Sequence, residues 1–258
     1  MEKIDNMRYD ELFSYTFKAL RHRLGHDRPK DQRPLWQRRL SADSDFCRAV
    51  VACGYLSREQ MLRTVSRYRL GRSRDGGVIF WQIDTLDTVC DGKIMHYRPD
   101  CHRDHSRHPD WVMSAMKRYY LRGEEALQAM LPSVHCLFGT HLLRDDHDSP
   151  VAVVEAEKTA VILSEHYPHY LWLAAGGLYE LTAVKLFPLR GRRIILFPDT
   201  DPDGKAYALW YRVMTETRRL LGQPVAISPL LELQATPAQK AAKIDLADYW
   251  FEASKRGV

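Results

Sequence analysis

The sequence has no long apolar segment. None of its hydrophobic runs approaches the roughly 18 residues that a membrane-spanning helix needs. The first residues, Met1–Asn6, also lack the apolar region of a secretory signal. We therefore expect a cytoplasmic protein without a membrane partner. Internal repeats and low-complexity segments are missing too, which favours an ordinary globular fold.

Closely spaced cysteine pairs are also missing. The five cysteines are scattered and none are spaced as Cys-x-x-Cys, and disulfides are not expected in a reducing compartment. One local group, formed by Cys101, His102, His105 and His108, contains residue types that bind zinc. Its spacing matches no common zinc finger. We interpret the group as a polar hairpin tip, with zinc binding as the alternative.

The charge of the chain is unevenly distributed. The net charge is +5, arginine is concentrated between Arg21 and Arg74, and acidic residues are concentrated in the C-terminal half. This asymmetry suits a protein in which one region holds a polyanionic partner and another performs metal chemistry. Solvated helix faces would give the same asymmetry, so charge alone does not decide between the two interpretations.

The last hundred residues have the pattern of an α/β protein. Short apolar runs alternate with helical patterns, which predicts a parallel sheet flanked by helices. The predicted strands are Val151–Val154, Tyr170–Ala174, Ile194–Phe197 and Val225–Ser228. We expect three regions in the chain: N-terminal helices over 1–60, a smaller α+β subdomain over 61–149, and the α/β domain over 150–258.

The preceding residues favour helices followed by a hairpin. Helical spacing covers Tyr9–Leu24 and Ser44–Cys53, and a capping-box pattern with Ser57 at its N-cap opens a third helix. Gly71 is the expected C′ residue of that helix. Further predicted elements are the strands Val78–Ile83, Gly92–Tyr97 and Val134–Phe138 and the helices Trp111–Tyr120, Glu124–Leu131, Lys158–His166, Glu180–Phe187 and Gly204–Leu221. The segment Lys243–Glu252 finishes the chain.

Carboxylates follow two of the predicted parallel strands. Asp199, Asp201 and Asp203 come directly after one strand, and Glu155 comes after another. Because parallel strands end at the same edge of a sheet, these side chains can meet there. Clustered carboxylates repel one another unless a cation neutralises them, and hard oxygen ligands select Mg²⁺, Mn²⁺ or Ca²⁺.

Two further acidic residues, Asp245 and Asp248, follow the last predicted strand and can reach the same edge.

Three other interpretations of the acidic turn compete with a phosphoryl-transfer site. An EF-hand calcium loop would need a bidentate Glu where Trp210 stands. A haloacid-dehalogenase-type phosphotransferase would need Thr or Val in place of Asp203. A polar turn without chemistry would not explain Glu155.

Three segments resemble the Toprim domain, the metal-binding module that bacterial replicative primases, topoisomerases and some nucleases share. They are Val154–Thr159, Ala174–Gly177 and Leu196–Ala206, and their order and spacing are similar to the primase-like branch. Segment 245–250 is similar to the acidic segment that closes many primase Toprim domains. The layout looks most like uncharacterised Toprim-like proteins of plasmids and mobile elements, over about residues 60–250.

This resemblance implies an Mg²⁺- or Mn²⁺-dependent nucleotidyl transferase that acts on DNA, most simply a primase-like protein in the replication of a plasmid or mobile element. Its implied catalytic residues and metal ligands are Glu155, Asp199 and Asp201, with Asp203 as a further ligand. Implied phosphate contacts come from Lys158, Gly176, Gly177 and Lys205. Candidate nucleic-acid contacts are Arg67, Arg69, Arg72, Arg74 and Lys93. The expected partners are single-stranded DNA, nucleotides and replication or mobilisation proteins.

The chain also departs from the family pattern. It contains no cysteine set for the zinc ribbon of primases, no recognisable helicase-binding domain, and no large additional domain with the nucleophilic Tyr of a topoisomerase. Two alternatives therefore remain open beside the primase-like enzyme. One is a Toprim nuclease that uses the same metals, and the other is a nucleic-acid-binding accessory protein without catalytic activity.

Overall fold

A computed structural model describes residues 35–120 and 135–255, which form two compact units. The first contains 35–54, 61–120 and His135, and the second contains 55–60 and 136–255. The helices predicted over 9–24 and 124–131 lie outside the described residues. Among the residues that are described, no helix is long and apolar enough to cross a membrane.

The first unit is built on a four-stranded antiparallel sheet. Its strands lie in chain order and are β1 (Gly71–Arg72), β2 (Val78–Ile83), β3 (Val89–Met95) and β4 (Asp110–Trp111). Every residue of β2 is buried, as expected for a strand that is apolar or aromatic at every position except Gln82. Four helices complete this part of the chain: α1 (Leu35–Arg39), α2 (Asp45–Ala52), α3 (Arg58–Tyr68) and α4 (Val112–Tyr120).

The start of α3 was predicted correctly and its end was not. The backbone N–H of Ser57 donates to Oε1 of Gln60 at 2.8 Å, and the backbone N–H of Gln60 donates to Oγ of Ser57 at 3.2 Å, which is a capping box. At the other end, Arg69 adopts the left-handed conformation with φ of 56°. Gly71 belongs to β1, where a Cβ would lie 2.8 Å from Nε1 of Trp81.

The second unit is built on a four-stranded parallel sheet, which confirms the predicted α/β class. Its strand order is β6–β5–β7–β8, from β5 (Val151–Val154), β6 (Leu171–Ala174), β7 (Ile194–Phe197) and β8 (Val225–Ile227). Its helices are α5 (Glu157–His166), α6 (Lys205–Leu221), α7 (Leu230–Gln234), α8 (Pro237–Ala242) and α9 (Leu246–Lys255). The chain runs from β5 to β6 on one side and then to β7 on the other, so the strand order reverses between β5 and β7.

The packing of α6 explains the length of that helix. Its buried residues recur at helical spacing, and Trp210, which is fully buried, packs with residues of β5, β7 and β8 in one hydrophobic core. The helix predicted over 180–187 is instead a 3₁₀ segment, Val184–Leu189. Pro188 lies inside that segment and cannot donate the backbone hydrogen bond that an α-helix requires.

Candidate functional site

Glu155 and Asp199 follow neighbouring strands of the parallel sheet. Val154, the last residue of β5, pairs in register with Phe197, the last residue of β7. The two acidic residues therefore lie near each other at the same edge of the sheet. The negative charge of Glu155 helps to raise the pKa of Asp199, after the effect of burial. This edge lies where the strand order reverses, which is the position at which open α/β sheets bind ligands.

The carboxylate of Asp199 is desolvated and poorly satisfied. Its Oδ1 atom is buried and, among the described residues, no group donates a hydrogen bond to it. Burial raises the pKa of this carboxyl well above its usual range, and the charges of Glu155 and Asp245 raise it further. A buried anionic oxygen without a donor is costly, so a proton or a bound cation is needed to compensate it.

Asp201 makes a different set of contacts, because its carboxylate caps the N-terminus of α6. Its Oδ1 accepts from the backbone N–H groups of Asp203 at 2.9 Å and Lys205 at 3.1 Å. Its Oδ2 accepts from the backbone N–H of Ala206 at 2.7 Å. Burial raises the pKa of Asp201, but these three N–H groups together outweigh it and hold the pKa below its usual value.

Asp203 and Lys205 lie on the exposed side of the same turn. Nζ of Lys205 donates to Oδ2 of Asp203 at 2.7 Å, and both side chains are more than half exposed. This hydrogen bond is the main reason why the pKa of Lys205 is raised. Lys205 is the first residue of α6, and a cation at a helix N-terminus is well placed to meet an anionic ligand.

Lys158 is buried between two carboxylates. Its Nζ lies 3.0 Å from Oδ2 of Asp245 and 2.7 Å from Oδ1 of Asp248. Burial alone would lower the pKa of Lys158, but the two carboxylates raise it well above its usual value. The same three charges affect the pKa of Asp199, because Asp245 and Asp248 raise it while Lys158 lowers it. The structure therefore brings the two C-terminal acidic candidates to the same charge cluster as Asp199.

Tyr55 completes this cluster, and sequence reasoning missed it. Its hydroxyl group donates to Oδ1 of Asp248 at 2.8 Å, and its ring stacks on Phe251 of α9 with centroids 4.1 Å apart. The two hydrogen-bonded residues are separated by 193 positions in the chain. No local pattern could have indicated a pairing over that distance.

The glycine pair after β6 closes the edge on the other side of β5. The backbone N–H of Gly176 donates to the carbonyl oxygen of Glu155 at 2.9 Å. Gly176 has φ of 93°, a conformation that favours glycine. Gly177 follows at a half-buried position. Gly176 therefore holds the backbone against Glu155, and contact of the two glycines with a phosphate stays a prediction.

Two of the predicted nucleic-acid contacts are engaged within the first unit. The guanidinium group of Arg69 lies 4.3 Å from the centre of the Trp36 ring and forms an ion pair with Asp87. Nε of Arg72 lies 4.0 Å from Oδ2 of Asp43. These contacts hold the two arginines against their own unit.

The other three basic candidates differ in exposure. Lys93 is buried within β3, whereas Arg67 is half-buried and Arg74 is exposed. Of these three, Arg74 is therefore the most exposed. Nucleic-acid binding by this group of five residues stays a prediction.

The group of Cys101, His102, His105 and His108 lies in an irregular hairpin. Tyr97 and Arg103 form an antiparallel bridge, and Cys101 at the tip is buried with φ of 63°. Within 35–120 and 135–255, no three His, Cys, Asp or Glu side chains are grouped so that they could hold a metal ion. The carboxylates at the sheet edge therefore do not form a closed metal cage.

Comparison with known proteins identifies the family. Residues 45–200 match the family model described as "Domain of unknown function (DUF6371)". The chain belongs to this family. The match of this DUF6371 chain includes both Glu155 and Asp199 and ends at Thr200.

Among curated proteins, no match to this DUF6371 chain was found. Among solved structures, it is similar to the crystal structure of the primase fragment of the bacteriophage T7 primase-helicase protein. That similarity has a TM-score of 0.48 at 16% sequence identity and covers 89% of this chain and 80% of the other.

Proposed function

We propose that this protein is a metal-dependent nucleotidyl or phosphoryl transferase that acts on nucleic acid, with its active site at the carboxyl edge of the parallel sheet. The observation that carries the proposal is that Glu155 and Asp199 follow the paired strand ends Val154 and Phe197, together with the buried, unsatisfied Oδ1 of Asp199. A ligand at this edge would also match the position where open α/β sheets bind ligands.

Mg²⁺ fits this arrangement better than a metal that needs a full protein cage. Mg²⁺ is usually held by one or two carboxylates together with water and substrate phosphates. Asp199 would be the principal ligand, with Glu155, Asp201 or Asp203 as the others. When bound, the metal neutralises phosphate charge and orients the reacting groups.

The surrounding residues support this chemistry in different ways. Glu155 would act as a general base or as a second metal ligand. Lys205 and the first turn of α6 would contact phosphate, since that side chain is exposed beside the acidic turn. Lys158 would hold Asp245 and Asp248 in place, because its ammonium group is buried between them.

The Toprim resemblance of the sequence gives the finer form of the proposal. It suggests primer synthesis on single-stranded DNA in the cytoplasm, in the replication or mobilisation of a plasmid or mobile element. Nucleotides and single-stranded DNA would then be the substrates, with replication proteins as partners.

Primer synthesis tests the proposal directly. The protein is incubated with a single-stranded DNA template, labelled nucleotides and Mg²⁺ or Mn²⁺, and the products are separated by size. We expect labelled products from the wild type and a loss of at least a hundredfold in Asp199→Asn, because the metal ligand is neutralised. Asp148→Asn is the matched control, since Asp148 is an exposed carboxylate at a turn.

Other outcomes of the same assay separate the alternatives. Cleavage of DNA or RNA without added nucleotides, lost in Asp199→Asn, would replace the transferase with a nuclease. Binding of nucleic acid without any product, equal in wild type and Asp199→Asn, would mean a non-catalytic accessory protein. Wild-type protein that neither extends nor cleaves nucleic acid with either metal would overturn the proposed function.

A further inference from the structure

The exposed face of α6 carries a row of three basic residues. Lys205, Arg212 and Arg219 are spaced seven residues apart, which places them nearly in line along one face of a helix. All three are exposed. With a rise of about 1.5 Å per residue, neighbouring members are about 10 Å apart and the row is about 21 Å long.

This row lies opposite the face that holds the helix in the fold. The buried residues of α6 are Ala206, Trp210, Met214, Thr217 and Leu221. Their mean direction is about 160° from that of the basic row in a helix with 100° per residue. Packing of the second unit therefore does not require the basic side chains, so their arrangement can serve an external ligand.

The charge of the helix is strongly unbalanced. It contains four basic residues, Lys205, Arg212, Arg218 and Arg219, and a single acidic one, Glu216. Arg218 is used internally, because its Nε donates to the carbonyl oxygen of Val225 at 2.8 Å. Lys205 also pairs with Asp203, which precedes the helix. The exposed row still carries an excess of positive charge, which is complementary to a polyanion.

Two tyrosines lie farther around the helix on one side of the row, Tyr211 at about 100° from it and the half-buried Tyr207 at about 140°. The rings of Tyr207 and Tyr211 are 6.4 Å apart at a spacing of four residues, and Tyr211 is 50% exposed. Aromatic rings beside cations form the usual platform for single-stranded nucleic acid, because bases stack on the rings while phosphates meet the cations. A folded acidic protein or a duplex would not offer unstacked bases to these rings.

We propose that this surface, formed by Lys205, Arg212, Arg219 and Tyr211, binds single-stranded nucleic acid. Lys205 stands directly after the acidic turn, so a strand bound along α6 has one end at Asp199 and the other about 21 Å away. The inference rests on the proposed function, because it supplies the proposed site with a contact for its nucleic-acid substrate. It concerns binding of nucleic acid alone, so it can be tested separately from the proposed catalytic activity.

Fluorescence anisotropy with a labelled oligonucleotide of about 16 nucleotides tests the surface, since one binding module covers roughly that length or less. The measurement is made in EDTA, without metal or nucleotides. We expect Arg212→Glu/Arg219→Glu to weaken binding by more than about tenfold at low salt. The matched control is Arg58→Glu, an exposed helical arginine elsewhere, which retains wild-type affinity.

The salt dependence and two further variants identify the kind of contact. In Arg212→Ala/Arg219→Ala the slope of log K against log salt falls by about 1.4, because two phosphate contacts to a single strand are lost. We expect Arg212→Lys/Arg219→Lys to bind about as tightly as the wild type, since lysine keeps the positive charge that contacts the phosphates. Glu216→Gln strengthens binding, because it removes the one anion of the row.

Tyr211→Ala separates single strands from duplexes. We expect it to weaken binding of single-stranded DNA roughly tenfold and to leave duplex binding unchanged, because duplex bases stay stacked. Equal loss for both would mean a general anion surface instead. Circular dichroism spectra and melting temperatures equal to those of the wild type confirm that the exposed substitutions leave the fold intact.

Activity measured beside binding separates this inference from the proposed function. If the glutamate double variant binds like the wild type while the wild type still synthesises or cleaves nucleic acid, the surface is wrong and the function stands. If binding depends on the row but the wild type has no activity with Mg²⁺ or Mn²⁺, the proposed binding surface is supported and the proposed function is wrong. Wild-type protein that does not bind the oligonucleotide overturns the surface.

Discussion

Asp199 is the side chain on which the chemistry of the proposed site depends. Its buried oxygen lacks a donor among the described residues, and burial with neighbouring carboxylates raises its pKa. Such an arrangement is unfavourable for the metal-free fold. It is suited to a ligand that brings positive charge, which is the usual relation between stability and function at an active site.

We expect Asp199→Asn to stabilise the metal-free protein while it abolishes activity. The amide has a similar shape and removes the cost of a buried, unpaired carboxylate, so the free energy of unfolding at neutral pH should rise by about 1 kcal/mol. Denaturant titration in EDTA measures this change. A loss of more than about 1 kcal/mol would mean that the carboxylate stabilises the fold instead.

Asp75 gives a test of pH dependence that is independent of the proposed site. Its Oδ1 accepts from the Ser73 hydroxyl at 2.6 Å, and its Oδ2 lies 3.2 Å from Nε2 of His96. Arg107 forms a further ion pair with the same carboxylate. Burial acts against ionisation, but these partners outweigh it and hold the pKa of Asp75 below its usual value.

A folded-state pKa below the unfolded value means that the ionised carboxylate stabilises the fold above about pH 4, and that this stabilisation disappears as the pH falls through the folded pKa. We therefore expect Asp75→Asn to lower the denaturant midpoint at pH 7. The difference from wild type should shrink between about pH 4 and pH 2. A difference that is constant over this range would contradict the argument.

At the scale of elements, the ion pairs of Lys158 join α5 to α9. Lys158 belongs to the first turn of α5, and Asp248 belongs to the first turn of α9. A second contact joins the same two helices, because the rings of His166 and Trp250 have centroids 3.7 Å apart. The last helix therefore depends on a residue almost a hundred positions earlier.

Breaking this buried interaction should be costly. Lys158→Met leaves two buried carboxylates without a cation, and we expect a loss of about 3–5 kcal/mol in the free energy of unfolding. The exposed pair of Arg48 and Asp43 is the matched control, and Arg48→Met should cost about 1 kcal/mol or less. Denaturant titration compares the two variants. Equal losses would show that burial of the Lys158 pairs is unimportant.

The hairpin of the first unit depends on a close approach of strands to one side chain. A Cβ at Gly92 would lie 2.7 Å from Cε3 of Trp81, whose side chain is fully buried. Gly92→Ala should therefore destabilise the protein by about 1–3 kcal/mol. In a double-mutant cycle with Trp81→Leu we expect the cost of the alanine to fall. Additive losses would mean that the two sites do not interact.

At the scale of the whole molecule, binding of Mg²⁺ should appear as added stability. A ligand that binds only the folded state at a hundred times its dissociation constant raises the free energy of unfolding by about 2.7 kcal/mol. We expect this shift in wild type and Asp148→Asn, and none in Asp199→Asn. Melting temperatures with increasing Mg²⁺ measure it, and an equal shift in all three proteins would place the metal elsewhere.

Much of the fold was predictable from the sequence because it depends on local patterns. The alternation of short apolar runs with helices indicated the parallel sheet, and the capping box at Ser57 marked the start of α3. Local patterns gave wrong predictions where contacts between distant residues determine the structure. Gly71 resembled a helix C-cap, but its place in β1 follows from the approach of Trp81.

The sequence by itself determined that acidic residues follow two strands of one sheet, because the end of a strand is a local property. Tertiary structure alone decided their environments. Oδ1 of Asp199 is buried and has no donor among the described residues, and the oxygens of Asp201 accept from the first turn of α6. Lys158 lies between the carboxylates of Asp245 and Asp248. The physical reason is that burial and charge pairing depend on residues brought together from distant parts of the chain.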